Sequence, residues 1–124
     1  MSQRAEFWLA VDRIREGDAR YKPDAYAFVM EAVDYTVRSL GVWRHVSAAE
    51  LVEGLRRAAC DRYGMLAFTV LEKWGVRTGS DVGEIVFQLI DEGFLSRQDD
   101  DSREAFDEVG SLASDLVDRY FETG

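Results

Sequence analysis

One cysteine and one histidine, Cys60 and His45, are the side chains of this chain best suited to nucleophilic catalysis or transition-metal binding. A usual zinc site needs two or more His or Cys ligands, which these two residues do not supply. Their separation in sequence leaves a Cys–His nucleophile pair open, because such pairs assemble in space. However, Cys60 follows two alanines, as a buried small side chain often does. His45 precedes a predicted helix N-terminus, where the helix dipole disfavours its charged form. We therefore predict structural roles for both, and no catalytic, metal-binding or cofactor-binding residue.

Three consecutive aspartates, Asp99, Asp100 and Asp101, invite comparison with a calcium loop, but their register does not fit one. Counted from Asp99, the glycine position of an EF-hand loop holds Glu104, and the final glutamate position holds Gly110. A solvated acidic turn explains the run better. Other carboxylates share helix faces elsewhere in the chain. They leave a carboxylate-based enzyme open, provided that a cleft brings two of them together.

Charge is distributed unevenly along the chain. Residues 1–37 carry a net charge of −2, residues 38–77 carry +3, and residues 78–124 carry −10. This polarity predicts a binding surface of one sign, although solvated helix faces produce the same pattern. The candidate interaction surface combines the basic residues of the middle segment, the ring side chains beside them and the acidic run: Arg38, Trp43, Arg44, His45, Arg56, Arg57, Arg62, Lys73, Arg77, Asp99, Asp100 and Asp101.

Size and composition place the chain among small globular proteins. Its 124 residues suit a single domain, which we assign to 1–124, and a 47% hydrophobic content is enough for a core. The formal net charge of −9 disfavours generic attraction to nucleic acid or anionic membranes. One cysteine fits a reducing compartment, and no apolar stretch resembles a signal peptide or a membrane span. We therefore predict a cytoplasmic protein.

Hydrophobic periodicity indicates a mainly α fold, because apolar residues recur at spacings of three and four and glycines end several runs. The strongest predicted helix begins at Pro23 and ends before Gly41. The next begins with a capping box, Ser47 and Glu50, and continues to about Tyr63. The other predicted elements are helices at 5–16, 65–74, 81–92 and 109–121, an extended stretch at 42–46 and a short β-hairpin at about 94–106.

The predicted architecture is a compact single-domain helical bundle. Helices 5–16 and 109–121 pack on a core of 23–106, and helix 65–74, which is apolar almost all round, lies at its centre. The order of helices followed by a hairpin is similar to a winged-helix domain, with 81–92 as recognition helix and 94–106 as wing. That helix carries four acidic residues and no Lys or Arg, so the usual DNA-contacting surface is missing.

Several motifs resemble a family of short uncharacterised bacterial proteins of unknown function. The likeness covers roughly residues 18–108 and rests on the runs Arg20–Tyr26, Arg44–Ser47, Glu50–Leu51 with Gly54, Gly83–Phe87 and Asp101–Phe106. The resemblance implies no activity, so it carries no catalytic residue with it.

Three hypotheses for the function remain. We favour a non-enzymatic protein-interaction or regulatory module, because the charge is polarised and no reactive site is assembled in the sequence. Its partner would be another protein or a second copy of the chain. The first alternative is a winged-helix-like nucleic-acid-binding transcriptional regulator that uses the basic segment 38–77. The second alternative is the carboxylate-based enzyme. None of the three requires a cofactor or a membrane.

Overall fold

Six α-helices account for most of the chain that the computed structural model describes, which is residues 3–41, 46–95 and 103–112. In chain order the elements are α1 (Gln3–Gly17), α2 (Pro23–Leu40), α3 (Ala48–Tyr63), a 3-10 turn (Gly64–Leu66), α4 (Ala67–Lys73), α5 (Gly79–Asp91) and α6 (Arg103–Asp107). These described residues include no β-strand, and Thr78 and Ser111 form an isolated antiparallel bridge. The predicted helical bundle is confirmed.

The ends of α2 and α3 follow the sequence signals that predicted them. Pro23 begins α2, where its missing N–H needs no partner, and Gly41 ends it with a φ of 71°, a left-handed conformation that suits glycine. At the start of α3, the Ser47 hydroxyl accepts a hydrogen bond from the Glu50 backbone N–H at 3.2 Å. The Glu50 carboxylate accepts one from the Ser47 N–H at 3.1 Å, which completes the predicted capping box.

Helix α5 begins earlier than predicted, at Gly79 instead of Asp81. The Thr78 hydroxyl accepts a hydrogen bond from the Asp81 N–H at 3.2 Å, and the Asp81 carboxylate accepts one from the Thr78 N–H at 3.2 Å. The capping box is therefore Thr78 with Asp81, and it places the helix start two residues before the predicted one. Asp81 occupies the third helical position and accepts the hydrogen bond that completes the box.

The segment from Met65 to Trp74 is not a central core helix. It begins with the 3-10 turn, in which Met65 and Leu66 are 65% and 62% exposed, and continues as the short helix α4. Only one side of α4 is buried, through Ala67 and Leu71. An apolar composition on all faces predicts burial, but here the 3-10 turn lies on the outside of the bundle.

The predicted hairpin at 94–106 is wrong in its second arm, because Arg103–Asp107 forms α6; the intervening residues 96–102 lie outside the described part. The predicted helix at 109–121 is also wrong where it can be compared. Residues 109–112 leave α6 through Gly110, with a φ of 72°, and run back along residues 77–79. Residues 42–45 and 113–121 lie outside the described residues, and Val46 belongs to no strand.

A single hydrophobic core joins the six helices, and α2 contacts α1, α3 and α5. Each helix contributes at least one side chain that is 3% exposed or less, among them Val11, Tyr26, Val29, Val52, Leu55, Leu71, Ile85, Leu89 and Phe106. The aromatic rings of Phe28, Tyr63 and Trp74 contact one another at the edge of this core, with centroids 5.6–6.1 Å apart. Helices α2 and α3 are thereby fixed against each other at one end.

At the other end, α2 and α3 approach closely because Gly54 has no side chain. A Cβ atom at Gly54 would lie 1.7 Å from the Thr36 Oγ1 atom, which is buried and donates a hydrogen bond to the Ala32 carbonyl at 2.6 Å. The space between the two helices is therefore set by a glycine on one and a threonine on the other.

We expect Gly54→Ala to destabilise the protein by about 2 kcal/mol or more, because the new methyl group overpacks a closed contact. A glycine-to-alanine change within a helix normally stabilises a protein by up to about 1 kcal/mol. A loss of stability in Gly54→Ala would therefore indicate overpacking at this contact. Gly17→Ala is the matched control, because its Cβ meets nothing within 4 Å. Urea unfolding of the two variants measures the difference. Equal stability of both variants would contradict the close approach, and adding Thr36→Ala should recover part of the loss.

Candidate functional site

The predicted basic residues are dispersed over three helices and a turn. Arg38 lies on α2, three arginines lie on α3, Lys73 ends α4, and Arg77 precedes α5. Arg56 is only 6% exposed and lies among the core-facing residues of α3, so it cannot serve as a surface cation. Six residues of the predicted surface, Trp43, Arg44, His45, Asp99, Asp100 and Asp101, lie outside the described residues.

An open groove of about 580 Å³ runs between α2 and α3 and includes Arg38 and Arg62 from the predicted surface. Lys73 and Arg77 do not line it. We call it the α2–α3 groove, and its lining residues are Phe28, Glu31, Asp34, Tyr35, Arg38, Ser39, Ala58, Asp61 and Arg62. Its spacing follows from the Gly54–Thr36 contact at one end and the aromatic cluster at the other. Of its two apolar lining residues, Phe28 is buried and Ala58 is half-buried, and the other residues are polar.

Both arginines of the groove face carboxylates. The Arg62 guanidinium lies 2.5 Å from the Glu31 carboxylate across the two helices, and Arg38 lies 3.1 Å from Asp34 one turn earlier on α2. Just outside the groove, Arg57 pairs in the same way with Glu53 at 3.0 Å. Acidic residues from the same two helices therefore neutralise Arg38, Arg57 and Arg62.

The Tyr35 hydroxyl donates a hydrogen bond to the Asp61 carboxylate at 2.9 Å. This hydrogen bond raises the pKa of Tyr35, because ionising the phenol would place a second negative charge beside Asp61. Tyr35 is therefore a hydrogen-bond donor at neutral pH. The exposed ion pairs of the groove contribute about 0–1 kcal/mol each to the stability of the fold. An incoming charged group can therefore replace one partner of such a pair at little cost.

The groove offers carboxylates, guanidinium groups and a phenol to a ligand. It holds three carboxylates, Glu31, Asp34 and Asp61, which meets the first condition for carboxylate catalysis. However, the groove is open to water, and each carboxylate is engaged by an arginine or a tyrosine. A catalytic acid needs a raised pKa in a dry pocket beside its substrate, and this arrangement provides neither burial nor an unpaired acid. Among the described residues, no group of three His, Cys, Asp or Glu side chains is placed to hold a metal ion.

Exposed apolar side chains follow the end of α3, on the 3-10 turn. The Tyr63 ring contacts Phe28, which lines the groove, and the Arg62 guanidinium lies 6.0 Å from the centroid of the Tyr63 ring. Met65 and Leu66 follow directly in sequence and are the two most exposed large hydrophobic residues described. Together, the α2–α3 groove, Met65 and Leu66 form what we call the docking face.

A second polar cluster joins the α1–α2 loop to α5 and α6. Arg20 pairs with Asp18 at 2.6 Å and with Glu84 at 3.2 Å, and Arg103 pairs with the same Glu84. Gln88 donates a hydrogen bond to Asp18 at 2.9 Å. Sequence analysis missed this cluster as a site, although Arg20, Glu84 and Arg103 belong to three of the motifs that carry the family resemblance.

Two buried tyrosines complete the connection. The Tyr21 hydroxyl donates to Asp81 at 2.7 Å, and the Tyr26 hydroxyl donates to Gln88 at 2.7 Å. Burial raises the pKa of both phenols, that of Tyr26 to about 12. Because the hydroxyls stay protonated and each finds an acceptor, both rings can be buried without an unsatisfied polar group. This cluster connects the α1–α2 loop and α2 to α5. Helix α2 also forms one wall of the groove.

No protein-family model, curated protein or solved structure matches the chain. The resemblances to winged-helix domains and to a family of short bacterial proteins therefore stay predictions. Among the described helices, none is both long and apolar enough to cross a bilayer.

We expect Asp18→Asn to lower the stability of the protein at pH 7 by about 1 kcal/mol, a figure reduced for the partial exposure of the pair. The hydrogen bonds from Arg20 lower the pKa of Asp18 from 3.8 to about 2. A carboxylate with a depressed pKa stabilises the fold above the unfolded-state pKa, and this contribution is lost as the pH falls towards the folded-state value. The variant and the natural protein should therefore converge between pH 4 and pH 2.

Chemical unfolding across this pH range measures the effect. Glu16→Gln is the matched control, because it removes an exposed carboxylate from the end of the neighbouring helix. A constant difference between Asp18→Asn and the natural protein at every pH would mean that the Asp18 charge does not stabilise the fold.

Proposed function

We propose that this chain is a non-enzymatic protein-interaction module that binds its partner through the docking face. The observation that carries the proposal is the open α2–α3 groove, lined by exchangeable ion pairs and followed at the end of α3 by the exposed side chains of Met65 and Leu66. Protein interfaces combine an apolar centre with a polar rim in the same way. A single cysteine in the whole chain supports a cytoplasmic location for this module.

The residue types on the docking face also support protein recognition. Tyrosine, methionine and arginine are enriched at protein interfaces, and tyrosine and arginine dominate their binding energy. Here Tyr35, Arg38 and Arg62 line the groove, and the exposed Met65 follows Arg62 by three residues. Exposed large apolar side chains that adjoin a groove are also a usual mark of an interaction surface.

Nucleic acid is a weaker proposal for the partner. Phosphate recognition needs arginines and lysines that are free to replace counterions, whereas Arg38, Arg57 and Arg62 are each paired with a carboxylate. Helix α5, which would be the recognition helix of a winged-helix domain, contains Asp81, Glu84 and Asp91 and no basic residue. Its apolar face is buried in the core.

The carboxylate-based enzyme is likewise less well supported. A pair of catalytic carboxylates works at opposed positions around a bound substrate, with at least one of them in a water-excluding pocket. The acids of the groove are instead exposed or half-exposed and engaged by neighbouring side chains.

Photo-crosslinking in the cells that produce this chain tests the proposal. The photoreactive residue p-benzoylphenylalanine is placed at Tyr35 or at Leu66, two positions on the docking face where side chains are partly or largely exposed. We expect each position to give a discrete covalent adduct with another polypeptide, because a bound partner lies within reach of the reactive ketone.

The matched control carries the same photoreactive residue at Glu72, an exposed position on α4 outside the groove. We expect no discrete adduct from this position. The proposal fails if Tyr35 and Leu66 give no adduct, or if all three positions give the same products.

A further inference from the structure

We propose that the partner on the docking face is a second copy of this chain, related to the first by a two-fold axis that passes beside Tyr35. This inference rests on the proposed function, because it names the occupant of the same face. In a two-fold contact each copy offers the same surface, so the pattern on that surface must be complementary to itself.

Net charge identifies the part of the molecule where two copies can meet with least repulsion. The whole chain carries −9, which opposes self-association through most of its surface. The α2–α3 groove is lined by three acidic and two basic side chains, a net charge of −1. Residues 78–124 carry −10. A contact through α2 and α3 therefore places nearly neutral surfaces together and leaves the strongly acidic third outside the contact.

The order of charges along α2 is self-complementary in an antiparallel arrangement. Glu31, Asp34 and Arg38 are exposed and recur at the spacing of one helix face. Glu31 and Arg38 lie about 10 Å apart along the axis, at 1.5 Å per residue. When a second α2 runs in the opposite direction, Arg38 of each copy meets Glu31 of the other, and this happens twice in the dimer.

The residues near the axis are compatible with this arrangement. The midpoint between Glu31 and Arg38 falls between Asp34 and Tyr35, so the Tyr35 rings of both copies lie beside the axis. Asp34 also lies near the axis, and its own Arg38 neutralises it at 3.1 Å. A partner of a single charge sign would instead meet repulsion at Glu31 and Asp34 or at Arg38. The mixed pattern therefore favours a second copy over a uniformly charged partner.

Charge reversal at the two ends of this pattern tests the inference. We expect the natural protein to approach twice its 14.1 kDa mass in sedimentation velocity as its concentration rises. Glu31→Arg and Arg38→Glu should each raise the dimer dissociation constant about tenfold or more, because each creates two like-charged contacts. An equimolar mixture of the two variants should restore dimerisation, since Arg38 then meets Glu31 in one contact and the new residues pair in the other.

Two sets of controls accompany the measurement. Glu72→Arg and Lys73→Glu make the same charge changes on α4, outside the groove, and should dimerise like the natural protein. The neutral variants Glu31→Gln and Arg38→Gln preserve the exposed helix face and should weaken dimerisation without recovery on mixing. Circular dichroism melting shows that each variant used is folded.

A natural protein that keeps the mass of one chain at all concentrations overturns the two-fold contact. So does a mixture of Glu31→Arg with Arg38→Glu that associates no better than either alone. If photo-crosslinks from Tyr35 still lead to a different protein, the docking face stands and only its occupant is wrong. If those crosslinks are also absent, the proposed function fails as well.

Discussion

The close approach of α2 to α3 is the constraint on which the rest of the structure depends. Gly54 permits it at one end, where any side chain would collide with the buried Thr36. The rings of Phe28, Tyr63 and Trp74 maintain it at the other end. With both ends fixed, Glu31 reaches Arg62 and Tyr35 reaches Asp61 across the gap. The packing of the two helices thus determines the shape of the groove. Its polar contacts form between residues that this packing has already brought close together.

The ion pairs on this surface contribute little to stability. Water solvates the separated charges of an exposed pair almost as well as the pair itself. In the proposed dimer, their fixed order along α2 would decide which charge pattern a partner can bring close. The Asp18–Arg20–Glu84 cluster differs in role, since it ties a loop to α5 beside the buried phenols of Tyr21 and Tyr26. One set of charges holds the bundle together, and the other is presented to the outside.

Local sequence signals were enough to predict α1, α2, α3 and most of α5, but not α6, which was predicted as a hairpin arm. Pro23 and Gly41 bounded α2, and the Ser47–Glu50 box began α3, because caps act through backbone groups only a few residues away. The exposed position of Met65 could not be predicted, since apolar composition does not say which way a turn leaves the bundle. The pairing of Arg62 with Glu31 also could not be predicted from the sequence, because it depends on the register between two helices. The neutralisation of Arg38, Arg57 and Arg62 by nearby carboxylates therefore became visible only when both helices were placed.

The most direct test of this account is an isotope-filtered NOE experiment on an equimolar mixture of labelled and unlabelled protein at high concentration. It detects only protons that lie close together in different molecules. The account predicts intermolecular contacts from the Tyr35 ring to residues of α2 in the other copy. Intermolecular contacts confined to α5 and α6, or none at all, would contradict it.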